Sequence, residues 1–126
     1  MNTEQNNTQN NTQNNTQNNT QIMVEHHPAQ SHLDALNVSK WPTWQKEVST
    51  FDWTFHEQEI AYILEGECII TPTGGAPISF GKGDLVTFAA GVKASWQVIK
   101  PLHKHYLLDG NAVSQAFRRI KAALGF

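Results

Sequence analysis

One cysteine, Cys68, stands in a chain of 126 residues, so no internal disulfide framework can hold the fold together. Neither sign of charge dominates. The formal net charge is −2, and no basic patch interleaves with aromatics, which argues against a nucleic-acid partner. No apolar run is long enough to span a bilayer, and no charged start followed by an apolar stretch marks a signal peptide. We expect no membrane partner and a soluble, cytoplasmic protein. The NNT triplets match the glycosylation sequon, but without export that match is a by-product of repetition. The first 21 residues lack any aliphatic or aromatic side chain after Met1, running NNTQ four times from Asn6 to Gln21. Such a tract offers no apolar surface to offset the entropy of ordering, so a disordered tail is expected over residues 1–22. Met23 offers an alternative start.

The rest of the chain is apolar enough for one domain of about a hundred residues. A lead-in segment over 23–40 holds His26, His27 and His32, which read as surface residues. Its Leu33, Leu36 and Val38 are expected to lie over the outside of the domain. From Trp41 to Asp109 the pattern is β. Phe51, Trp53 and Phe55 alternate with Asp52, Thr54 and His56, the period of a half-buried strand. Ile60–Glu65 is a near-continuous apolar run closed by Gly66, and further short strands are punctuated by Pro72-Thr73-Gly74-Gly75 and Gly81-Lys82-Gly83-Asp84. Many short strands with such turns predict an all-β sandwich or barrel. Over 111–126, Val113, Ala116, Phe117, Ile120, Ala123 and Leu124 recur at helical spacing behind a candidate Asn111 cap, predicting a C-terminal helix.

Two motifs within this β region resemble those of the cupins, small jelly-roll barrels. Glu59 is followed by six residues and Gly66, closing on Tyr62-Ile63-Leu64-Glu65-Gly66; Gly83, which opens Gly83-Asp84, is separated from Gly91 by seven residues, Asp84 included. The phrases Trp41-Pro42-x-Trp44, Phe51-Asp52-Trp53, Trp96-x-Val98 and Lys104-His105-Tyr106 are similar to those of single-domain cupins related to (S)-ureidoglycine aminohydrolase and to ethanolamine-utilisation proteins. The resemblance implies a single-domain jelly-roll barrel over 41–109, a small-molecule ligand and a homodimer. It also implies a metal held by two histidines before the glutamate and one after Gly91. Those positions hold Trp53 and Phe55 (or Asp52 and Thr54) and Ala94. His56 is out of register and faces away from Glu59. No metal cofactor of the standard kind is expected, although weak binding of a divalent ion is compatible with what is left.

The inward face expected from these registers carries Trp53, Phe55, Glu59, Ala61, Ile63, Ala94 and Trp96: an aromatic pocket with one acid in it. On the last strand, alternation puts His103 and His105 on one face, Lys104 and Tyr106 on the other. We expect His105 to face inward as the partner of Glu59. The candidate catalytic pair is therefore Glu59 and His105, and the candidate binding residues are Trp53, Phe55, Glu59, Ala94, Trp96, Lys104 and His105. Against this, alternating aromatics are often plain core, and a glutamate near a strand end is often a solvated ion pair. Three functions fit: a pocket that binds a small polar, nitrogen-containing metabolite; an enzyme of ureide or amine metabolism using Glu59 and His105 as acid and base; or a structural dimerisation module.

Overall fold

A computed structural model describes residues 16–18 and 21–109. The helix expected over 111–126 and most of the expected 1–22 tail lie outside those residues. The strands are β1 (Thr16–Asn18), β2 (Ile22–Glu25), β3 (Thr43–Lys46), β4 (Ser49–Thr54), β5 (Gln58–Pro72), β6 (Ile78–Gly81), β7 (Leu85–Phe88) and β8 (Lys93–Asp109). Among the described residues, one short helix, α1 (Gln30–Ala35), and a single 3₁₀ turn (Val38–Lys40) interrupt them. All strand pairs are antiparallel, in the order β1-β2-β7-β5-β8-β3, with β4 added to β8 and β6 to β5. None of the described helices is long and apolar enough to cross a membrane, which leaves strand-built membrane proteins unaddressed.

The axis of the fold is the pairing of two long strands, β5 and β8, from Gln58↔Asp109 to Pro72↔Ala94. Their register shifts between Ile63 and Cys68, where both strands must bend. Gly66 makes that bend possible. Its φ is +111°, and a Cβ there would stand 2.5 Å from the Pro101 carbonyl oxygen and 2.9 Å from the Leu102 Cα. Only glycine satisfies both the backbone angle and the close approach.

Strand alternation separates two apolar layers. Even-numbered residues of β8 (Ala94, Trp96, Val98, Leu102) meet Ala61, Ile63, Val86 and Phe88 in the inner core. Phe55 stacks on Phe88 at 4.6 Å, and Trp96 is ringed by Phe51, Phe55, Phe80 and Phe88. On the outer face, Ile60 and Leu85 are covered by Leu33, Leu36 and Val38 of the lead-in segment and by Trp41, which follows it. The Trp41 indole donates to the Leu36 carbonyl (3.1 Å), pinning that cover in place. At about 1.5–3 kcal/mol for each buried large side chain, neither layer is dispensable. The lead-in residues thus lie over the outside of the sheet and seal it.

The boundary drawn at residue 22 is displaced. Ile22 is 1 % exposed and pairs with Phe88, so β2, which runs on through the start of the lead-in segment, is a strand of the same sheet. Polar composition marks where the apolar pattern begins, but Ile22 alone could not reveal its long-range partner β7. Asp84 fills the turn role expected of it: Oδ2 accepts from the Gly81 N–H at 2.8 Å, while Oδ1 lies 3.1 Å from His26 Nδ1.

Candidate functional site

Glu59 sits near the start of β5, opposite Phe88 on β7 and Leu108 on β8. Inner-face parity aims its carboxylate into the barrel, where it is only 7 % exposed. A carboxylate so placed needs a partner. Lys104 supplies it: Nζ donates to Glu59 Oε2 at 2.6 Å, and the lysine is itself 6 % exposed. The Lys104 ammonium also lies over two indoles, 5.1 Å from the Trp44 ring centre and 5.3 Å from that of Trp96. Trp44 faces Lys104 directly across the β3–β8 ladder, so strand register creates the first of these cation–π contacts.

A cavity of about 210 Å³ opens above this pair, lined by Trp44, Phe51, Trp53, Glu59, Trp96, Lys104, Tyr106 and Leu108. Its walls are aromatic and its polar groups few and convergent, the composition of a small-molecule site. At that size it suits a ligand smaller than a drug-like molecule, whose pockets run roughly 300–1,000 Å³. Trp53 is 53 % exposed and forms the rim, whereas Trp96 is 3 % exposed and forms the floor. The Trp96 indole N–H is buried and has no acceptor among the described residues. A larger, somewhat more open depression of about 520 Å³ beside the Thr71–Gly75 turn shares Trp53, and its lining mixes polar and apolar groups.

Four of the seven residues expected to bind a ligand line this cavity: Trp53, Glu59, Trp96 and Lys104. Phe55 does not; at 2 % exposure it is packed against Phe88 in the core. Ala94 lines the larger depression instead. His105 is on the opposite face, where Nδ1 donates to the Trp41 carbonyl at 2.8 Å beneath the lead-in cover. The expected pairing of Glu59 with His105 is therefore corrected to Glu59 with Lys104. The signal was present in the alternation: Trp96 and Lys104 share even parity on one strand, so if Trp96 faces inward Lys104 does too. Trp44, Phe51, Tyr106 and Leu108 were not expected at the site. Phe51 had the right parity with Trp53, whereas Trp44 is brought in only by the pairing of β3 with β8.

Burial pushes the Cys68 thiol up to about 12, with the Lys104 charge pulling weakly the other way. This inner-core thiol is accordingly no nucleophile. Among the described residues no three His, Cys, Asp or Glu side chains cluster as metal ligands. Trp53, Phe55 and Ala94 offer no lone pair where cupin histidines would stand, the alternative Asp52 and Thr54 line the other depression, and the glutamate already holds an ammonium. The donor set does not suit a divalent ion.

Antiparallel strands wrapped around an inner pocket, with a motif glutamate facing into it, define a small cupin-type protein. The EutQ-like cupin domain model matches residues 33–106, and the chain belongs to that family. A DUF861-family protein of Thermotoga maritima is similar over 98 % of its own length and 69 % of this chain, at 45 % identity and a TM-score of 0.67. The EutQ protein of Clostridium difficile is 21 % identical over 68 % of this chain (TM-score 0.47). A putative ethanolamine utilisation protein Q of Salmonella typhimurium is 17 % identical over 71 % (TM-score 0.48). This chain spans 54 % and 58 % of those two. No curated protein matches.

Proposed function

We propose that the protein binds a small polar, nitrogen-containing metabolite in the aromatic cavity, without a metal. The observation that carries this reading is the Glu59–Lys104 pair set into an otherwise aromatic wall beside open volume. Glu59 is an acceptor for ligand N–H groups, and the faces of Trp44, Trp53 and Tyr106 favour flat or cationic nitrogen groups. A thermal-shift screen of the wild-type chain against amines, ureides, small acids and divalent metals tests it. The expected hit is a small nitrogen compound whose shift is lost in Trp53→Ala, a rim change that leaves the core alone. Hits confined to metals, or shifts unaffected by Trp53→Ala, overturn the reading.

The 2.6 Å Lys104–Glu59 contact favours one second reading, an enzyme in which these two side chains exchange a proton with the bound molecule. Turnover of a hit, abolished in Glu59→Gln, separates enzyme from binder. On the same footing we read the chain as a cytoplasmic homodimer, to be checked by light scattering.

A further inference from the structure

Cupin chemistry places a cation beside the motif glutamate, and the residues around Glu59 provide no ligand set for a metal. A cation is nevertheless there. Lys104 Nζ lies 2.6 Å from Glu59 Oε2, between the indole faces of Trp44 and Trp96. We infer that Lys104 is the resident cation of this site in place of a metal ion, and that its other N–H donors receive an oxygen of the bound molecule, a carbonyl or carboxylate.

Three observations carry this. The ammonium is held on several sides, by a carboxylate and two indoles, as a fixed charge is held and a solvated lysine is not. An ammonium has three N–H donors, and Glu59 accepts one; Lys104 also lines the cavity, so a ligand oxygen can meet another. Folding alone does not account for the pair, because a buried ion pair is often no more stabilising than apolar side chains of similar volume. A divalent ion at Glu59 would have to displace or repel a charge already bonded there. The oxygen-acceptor half of the inference rests on the proposed binding cavity; the cation half does not.

The test is chemical rescue. Lys104→Ala should melt below wild type, and millimolar ethylammonium chloride should raise its midpoint by several degrees. Sodium chloride at equal ionic strength should not, and the response should vanish in Glu59→Gln/Lys104→Ala. Restoration by one equivalent of manganese or zinc, with none by ethylammonium, overturns the assignment. Should Lys104→Ala not fold, wild-type protein decides: stoichiometric uptake of manganese, nickel or zinc refutes a resident lysine cation, and indifference to all three upholds it. Acetate and acetamide, titrated into ¹⁵N-lysine-labelled wild type, should shift the Lys104 Nζ signal. Rescue without that shift overturns the oxygen-acceptor half only. A failed metabolite screen beside successful rescue sinks the proposed function and leaves the cation in place.

Discussion

Exchanging Lys104 for methionine tests whether the Glu59–Lys104 contact is a buried pair or a nominal one. At 7 % and 6 % exposure neither group is much solvated, so removing the ammonium strands a carboxylate in an aromatic site. Breaking such a pair from one side costs about 3–5 kcal/mol. For a domain of roughly 60–100 residues, ~1 kcal/mol moves Tm by ~4–8 °C, so a fall of at least ~12 °C is expected. Glu59→Gln should cost less, because the amide oxygen still accepts from Nζ. The double change Glu59→Leu/Lys104→Met removes both charges and should return to near wild type, or above it. The assay is urea unfolding of wild type, Glu59→Leu, Lys104→Met and the double variant as a double-mutant cycle, with Glu59→Gln measured beside it. Single variants that each lose under ~1 kcal/mol, with no coupling, would refute the buried pair and the site built on it.

Gly66→Ala must both tolerate a φ of +111° and push against the Pro101 carbonyl, so it should cost well over ~1–3 kcal/mol of strain or fail to fold, whereas Gly74→Ala, with nothing within 4 Å, should cost only about 1 kcal/mol. Cys68 should resist iodoacetamide in the folded protein through pH 9 and react promptly in urea, because burial raises its thiol to about 12; rapid native labelling counts against that. His105→Ala should lose about 1 kcal/mol with its bond to the Trp41 carbonyl and leave binding of any cavity ligand unchanged, as titration of that ligand will show. Truncation through Gln21 should keep β2 whole, whereas removing Ile22 as well should cost a further ~1.5–3 kcal/mol of buried side chain, read from the two midpoints in urea.

Much of this protein is written in local pattern. Alternation at Phe51–Phe55, glycines at 66, 83 and 91, and the spacing from Glu59 to Gly66 determine an all-β cupin barrel, because strand faces and tight turns depend on neighbours in sequence. Parity alone also turns Glu59 and Trp96 inward and His56 outward. The same parity places Lys104 with Trp96 and His105 on the opposite face. What the sequence could not determine is which strands meet. Trp44 stands over Lys104 because β3 pairs with β8, Ile22 is buried because β2 pairs with β7, and His105 is occupied because the lead-in segment brings the Trp41 carbonyl over the outer face. Each contact joins residues tens of positions apart, and the closing of the barrel alone brings them within bonding distance. So the acid was legible in the chain, and its partner was decided by the fold.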